Sequence, residues 1–158
     1  MATIKKKPNG YGQFGGISPF GNSTALLFAL ATNATGAVID SDTTAAVASG
    51  DVIDLGELPE GMRLDDAQIL IKTGMTASVT GSLGFKYADG VDSADVPQDA
   101  AYFISAGALA TAGRLRANTG KLVTLPKAAR LILTTGGAAN AKASDIKVIV
   151  SGELTGPR

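Results

Sequence analysis

Three carboxylates at regular spacing are the first residues in this sequence whose types could support chemistry. Asp89, Asp92 and Asp95 lie three residues apart in a polar loop, and carboxylate oxygens are ligands that Ca²⁺ prefers. The spacing is not that of an EF-hand, and no Glu follows at the distance that closes such a loop. A solvated acidic loop is the default interpretation, and no metal site is predicted.

Two residue types on which many common enzyme chemistries depend are missing from the chain. The 158 residues include neither cysteine nor histidine, which removes thiolate nucleophiles, histidine bases and the usual zinc ligands. A serine triad would lack its base, and no G-x-S-x-G motif is present. With no Trp and 3 Tyr, the aromatic platforms of glycoside hydrolases are scarce. We predict a protein that is not an enzyme, without cofactor or small-molecule substrate; a hydrolase that uses the acidic loop is the minor alternative.

The first 23 residues are predicted to form an extended arm before a single β-domain of residues 24–158. Gly, Pro, Asn and Ser interrupt any periodicity in this arm, while apolar side chains recur about every three residues. Such a segment orders either against a partner or against its own domain. The candidate partner interface consists of Lys5, Lys6, Lys7, Tyr11, Phe14, Ile17 and Phe20.

Charge is unevenly distributed although the net charge is zero. Residues 1–39, 40–99 and 100–158 carry +3, −9 and +6. Two explanations of this asymmetry are open. The charged segments either attract segments of opposite charge in other copies, or folding brings the acidic and basic segments of one chain together. The acidic middle disfavours a direct role in binding nucleic acid, because it would repel the phosphate backbone.

A secretory signal or membrane span is not predicted. The basic cluster Lys5–Lys7 and the apolar run Ala25–Ala31 are separated by polar and Gly-rich residues, which is the wrong layout for a signal peptide. The run is also far shorter than the roughly 20 residues that cross a bilayer. We expect the first buried strand at Thr24–Thr32 instead.

Period-2 alternation of apolar and polar residues predicts about eight strands. The clearest alternation lies in Val79–Tyr87, and the final strand is expected at Asp145–Leu154. In Asp99–Ala110 the apolar residues follow helical spacing, which predicts one short helical segment. The remaining strands are expected within 37–39, 52–55, 67–71, 114–118, 121–125 and 131–135.

Two Leu-Pro corners separate pairs of these strands. In Asp51–Lys72, Pro59 fixes φ and Gly61 permits the positive φ of a tight turn. A weaker copy at Lys121–Thr135 contains Pro126. We interpret Pro59, Gly61 and Pro126 as structural turns of an all-β fold, a single β-sandwich or jelly roll with an extended N-terminal arm.

The order of several motifs resembles the small capsid decoration (cement, head-stabilising) proteins of tailed bacteriophages. The motifs cover roughly Asp51 to Val150, and the resemblance lies in their order. In order they are D-V-I-D-L-G-E-L-P-E-G-M-R-L, A-Q-I-L-I-K, S-L-G-F-K-Y-A-D-G, an acidic loop with Pro, Y-F-I-S-A-G-A-L-A-T-A-G-R and the second Leu-Pro corner.

The resemblance implies a structural virion protein on the outer surface of the capsid, made in the host bacterial cytoplasm. Such a protein clamps neighbouring major capsid subunits against the pressure of packaged DNA and has no catalytic residues. The implied partners are the major capsid protein and copies of itself, as a dimer or trimer. The alternative is a receptor- or glycan-binding β-sandwich of a virion, which would expose aromatic side chains around a pocket.

Overall fold

Residues 1–6 and 23–155 are the part of the chain that the computed structural model describes. Within these ranges the chain forms ten strands and no helix, so the all-β prediction is confirmed. The strands are β1 (Thr3–Lys5), β2 (Ser23–Thr32), β3 (Val52–Leu58), β4 (Met62–Thr73), β5 (Thr80–Tyr87), β6 (Asp99–Ala108), β7 (Gly113–Arg116), β8 (Val123–Thr124), β9 (Ala129–Gly136) and β10 (Ser144–Leu154).

The strands form two five-stranded sheets. The first has the order β1-β3-β9-β5-β6, and the second has the order β2-β10-β4-β7, with β8 also paired to β4. β1 runs parallel to β3, whereas the other strand pairs are antiparallel. This arrangement agrees with the predicted β-sandwich, while the jelly-roll connectivity stays a prediction.

The core lies between the sheets and follows from period-2 burial. In β10, every second side chain is buried from Ser144 to Leu154, and β10 is hydrogen-bonded to β2 on one side and β4 on the other. Aliphatic side chains such as Leu64 and Leu83 are fully buried, each contributing roughly 1.5–3 kcal/mol. The alternation read from the sequence therefore identified the inner faces of the main strands.

The predicted helical segment at Asp99–Ala110 is wrong, because these residues form β6 at the edge of the first sheet. The register between β5 and β6 shifts twice, which interrupts the two-residue period. As a result the consecutive residues Phe103 and Ile104 are both buried. A bulged strand thus reproduces the spacing of apolar residues that is typical of a helix.

Smaller differences concern short elements. Residues 37–39, predicted as a strand, make only isolated bridges, Thr32 with Val38 and Ala37 with Ala46. The strand expected at Arg114–Asn118 is β7, which begins one residue earlier, at Gly113, and ends two residues earlier, at Arg116. The parallel strand β1 was not predicted, because three residues carry too little periodicity to identify a strand.

Both Leu-Pro corners carry the chain from one sheet to the other. Pro59–Gly61 joins β3 in the first sheet to β4 in the second, and Leu125-Pro126 lies between β8 in the second sheet and β9 in the first. Gly61 has φ 74°, and its turn is closed by Met62 N–H donating to the Pro59 carbonyl at 3.3 Å.

The two corners are also hydrogen-bonded to each other. Gly61 N–H donates to the Leu125 carbonyl at 2.9 Å, and Leu125 N–H donates to the Met62 carbonyl at 2.9 Å. Thr155 N–H donates to the Gly61 carbonyl at 3.0 Å from beyond the end of β10. Two connections and the residue that follows β10 therefore meet at one end of the sandwich, and we call Leu58–Met62 together with Thr124–Lys127 the Leu-Pro end.

Candidate interaction surfaces

The first six residues lie on the β-sandwich. β1 pairs with β3 through Thr3 opposite Val52 and Lys5 opposite Asp54, and the Ile4 side chain is buried. Ala2 N–H donates to the Asp51 carboxylate at 3.0 Å. The segment that follows Lys6 therefore starts from a point fixed on the sandwich.

The two described lysines of the candidate interface have different surroundings. Lys5 is exposed, and its N–H donates to the Asp42 carboxylate at 3.0 Å. Lys6 is partly buried, and its ammonium donates to the Ala29 carbonyl in β2. Burial lowers the pKa of Lys6, against the opposing effect of the Asp40 carboxylate. The Lys6 side chain thus has a role within its own chain.

The other five residues of the candidate interface lie outside the described ranges. They are the residues that the sequence predicted as aromatic or apolar anchors, together with one lysine: Lys7, Tyr11, Phe14, Ile17 and Phe20.

The aromatic side chains of the described ranges all lie in the core. Their exposed fractions are 4% or less. Phe85 and Tyr102 meet edge to face at 5.4 Å between ring centroids, and burial raises the pKa of Tyr102 to about 12. No aromatic ring of these ranges is thus available at the surface. The five residues are Phe28, Phe85, Tyr87, Tyr102 and Phe103.

The acidic loop after β5 is held together by internal contacts. Asp89 pairs with Lys127 at 2.7 Å, and this hydrogen bond holds the pKa of the carboxyl below its ordinary value. Asp92 accepts the Gln98 N–H at 2.7 Å, and the Lys127 ammonium also lies 4.6 Å from the centre of the Tyr87 ring. In the described ranges, no group of three or more acidic side chains is arranged to hold a metal ion.

A surface groove that the sequence did not reveal lies between this loop and the segment before β8. Its volume is about 480 Å³, and its walls include Val96, Pro97 and Leu122. Leu122 is 65% exposed, and Lys121 pairs with Asp99 at 2.5 Å beside it. The groove has the size of an apolar side chain or a small ligand. An exposed Leu after a Gly-Lys pair was its only signal in the sequence.

Folding brings the acidic and basic segments of the sequence into contact. Among the described residues, four of the eight ion pairs join an acidic side chain of the middle segment to a basic side chain of the last third. The most buried of them is Arg130 with Asp54, in which Nε donates to both carboxylate oxygens at 3.0 Å. Contacts between copies are therefore not needed to explain the charge asymmetry.

The fold is similar to chains in three solved bacteriophage capsids. The structure titled capsid of Ralstonia phage GP4 contains a chain with TM-score 0.61 and 17% identity, covering 86% of this chain and 86% of that one. The cyanophage Pam1 capsid asymmetric unit gives TM-score 0.56 and 17% identity over 84% and 85%. The acidic stable capsid of Helicobacter pylori bacteriophage KHP30 gives 0.51 and 12% over 85% and 94%.

These similarities concern the fold, since the sequences have diverged widely. No protein-family model matches the chain, and no curated protein matches it significantly in sequence. In each structural match nearly the whole of both chains is covered, so the matched chains have similar lengths. Within the described ranges, no helix is long and apolar enough to cross a membrane.

Proposed function

We propose that this protein is a structural component of a bacteriophage virion that binds the outer surface of the capsid and clamps neighbouring major capsid subunits. The similarity in fold to chains of three phage capsids, along nearly the full length of each, is the observation that carries the proposal. The motif resemblance to capsid decoration proteins supports the same role. In this role the protein is not an enzyme and has no cofactor.

The rigid body of the protein suits a clamp that is held under tension. Its two sheets are joined at the Leu-Pro end by mutual hydrogen bonds between the corners. Across the first sheet, the bidentate pair of Arg130 and Asp54 connects β9 to β3. A body fixed in this way transmits force between neighbouring capsid subunits without opening locally.

We assign the main capsid contact to residues 7–22. The aromatic residues of the described ranges are buried, so Tyr11, Phe14 and Phe20 are the aromatic residues left as candidate anchors. Buried aromatic anchors dominate the binding energy of many interfaces. Since β1 and β2 hold residues 3–5 and 23–32 on the sandwich, the intervening segment has both ends fixed to the body that it would attach.

The same burial disfavours the glycan-binding alternative for the described part of the chain. Sugar sites usually present aromatic faces to the ligand, whereas Phe85 and Tyr102 line the groove with exposed fractions of 1% and 3%. The groove at Leu122 is instead a secondary candidate for contact with a capsid side chain.

The experiment is co-sedimentation of the purified chain with empty shells of the phage that encodes it. A triple variant, Tyr11→Ser with Phe14→Ser and Phe20→Ser, keeps β1 in place and is expected to lower occupancy on shells at least about tenfold. The control is Ile39→Ser with Val91→Ser, which removes two exposed apolar side chains from the body and leaves the groove unchanged. Full occupancy of the triple variant would contradict the assigned contact, and no binding of the wild-type chain would contradict the function.

A further inference from the structure

The four sheet edges of the described part of the chain differ sharply in how they are protected. β6 is bulged at two places, β1 has three residues, and β7 has four residues with exposed arginines at Arg114 and Arg116. Short length, bulges and charges are the usual means by which proteins prevent an edge from pairing with another chain. β2 has none of these features, because it has ten residues, no charge and an unshifted register with β10.

The unprotected part of β2 is the stretch Ser23–Ala29. Farther along, Ile39 N–H donates to the Ala31 carbonyl at 2.9 Å, and the Lys6 ammonium donates to the Ala29 carbonyl. Both carbonyls point away from β10, so by the two-residue period Ala25 and Leu27 also direct their backbone groups to the free side. The Leu27 side chain is 58% exposed on the outer face of the sheet.

We propose that Ser23–Ala29 is a self-association edge, at which the β2 strands of two copies pair antiparallel across a two-fold axis. Among the described residues, no strand pairs with the outer side of residues 23–29. Full overlap of these seven residues in two copies gives the register with Ala25 opposite Leu27 of the second copy and Ser23 opposite its Ala29. In this register every outward side chain of the two paired stretches is small or apolar, and no residue of either stretch carries a charge. The interaction closes at two copies, because both edges are used.

Charge on the neighbouring strand fits the same register. In β10, Glu153 lies opposite Ser23 and Lys147 lies opposite Ala29. Pairing Ser23 with Ala29 of the second copy therefore places Glu153 in one row with Lys147 of the second copy, about 14 Å apart at the backbone. Within its own chain Glu153 pairs with Arg63 at 2.9 Å, and Lys147 pairs with Asp145 at 3.1 Å. Side chains that extend instead over Ser and Ala bring the opposite charges of the two copies within the screening length of roughly 8 Å. The two-fold axis produces this row twice.

The Lys6 contact is compatible with this pairing. A carbonyl oxygen has two lone pairs, so Ala29 can accept both the Lys6 ammonium and the Ser23 N–H of the second copy. The inference goes beyond the proposed function, since it concerns the chain alone in solution and needs no capsid.

The test is sedimentation equilibrium of the full chain over a concentration series. We expect a monomer–dimer equilibrium for the wild type. Leu27→Lys adds a charge at the edge, and Ala25→Pro removes an outward N–H from the ladder. Each is expected to raise the dimer dissociation constant at least about tenfold, because each substitution is present in both copies at the symmetric interface. Val91→Lys, at a comparably exposed apolar residue in the acidic loop, is expected to change it less than about twofold.

The register has its own test, because the chain has no cysteine of its own. Separately purified Ala25→Cys and Leu27→Cys proteins are mixed and oxidised. A disulfide in the mixture, well above that in either protein alone, is expected for residues directly opposite each other.

A wild type that stays monomeric or forms trimers would overturn the proposal, as would dimers that persist in both Leu27→Lys and Ala25→Pro. Disulfides that form equally well in the unmixed proteins would overturn the register. Circular dichroism of each variant verifies that the β-sandwich is intact in every sample compared.

Discussion

The Leu-Pro end and the outer edge of β2 differ in whether their backbone N–H and C=O groups are hydrogen-bonded to a neighbouring segment. At the Leu-Pro end, Gly61 and Leu125 exchange hydrogen bonds with the facing corner, and Thr155 adds another. On the side of β2 that faces away from β10, residues from Ser23 to Ala29 have no paired strand within the described part of the chain. The difference separates two tasks: one end holds the sheets together, and the other leaves an edge open for association. Substitutions at the first should reduce stability, and substitutions at the second should reduce association.

The largest loss of stability is expected from Arg130→Ala in the closed part of the fold. Asp54 is 5% exposed, and the substitution leaves its carboxylate buried without its bidentate partner. Urea denaturation should show a decrease of about 3–5 kcal/mol in the free energy of unfolding. The control is Lys72→Ala, whose ion pair with Asp145 is exposed and 3.8 Å long, with an expected change below about 0.5 kcal/mol. Equal effects of the two substitutions would refute this difference.

A cavity at the Leu-Pro end should lower the free energy of unfolding somewhat less than Arg130→Ala does. Leu125 is fully buried beneath the second corner, and Leu125→Ala is expected to lower the free energy of unfolding by about 2–5 kcal/mol. Leu122, three residues earlier, is 65% exposed, so Leu122→Ala should change it by less than about 0.5 kcal/mol. Both variants should keep the self-association of the wild type under conditions where they are folded. If folded Leu125→Ala failed to self-associate, this would contradict the assignment of stability to the Leu-Pro end and of association to the β2 edge.

The turn itself contributes a smaller effect. Gly61 has φ 74°, a conformation that costs a residue with a side chain roughly 1–2 kcal/mol. Gly61→Ala should lower the thermal midpoint accordingly, whereas the neighbouring Glu60→Ala, at an exposed position, should leave it almost unchanged. Identical midpoints for Gly61→Ala and the wild type would show that the corner does not require its glycine.

The smallest expected effect is a dependence of stability on acid. The Lys121 ammonium lowers the pKa of Asp99 in the folded state, so the pair stabilises the fold at neutral pH. This contribution is lost as pH falls below the ordinary carboxyl value of about 4 and through the folded pKa, and for a partly exposed pair it is below about 1 kcal/mol. Asp99→Asn and Lys121→Ala should each flatten this part of the pH profile. A profile unchanged in both variants would contradict the coupling.

Sequence patterns predicted the parts of the fold that depend on regular alternation or on a unique backbone conformation. Alternation in β5 and β10 identified their buried faces, and the positive φ at Gly61 gave the first corner. β6 was missed because its bulges place Phe103 and Ile104 together in the core, which imitates the period of a helix. A pattern confined to one strand carries no information on the register shifts of its partner.

The interaction surfaces were less accessible to sequence reasoning because they depend on which strands become neighbours. The β2 run is typical of a buried strand, and only the sheet order reveals that one of its sides has no paired strand among the described residues. β1 has too few residues for a pattern, yet it fixes the start of the chain beside β3. The groove at Leu122 likewise arises from two loops that are distant in sequence.

Cryo-electron microscopy of empty shells reconstituted with this chain shows directly whether the protein clamps the capsid from outside. We expect one sandwich-shaped density per bound copy on the outer surface, touching at least two major capsid subunits, with the segment of residues 7–22 at the contact. Shells that remain bare at saturating protein, or density confined to the inner surface, would contradict it.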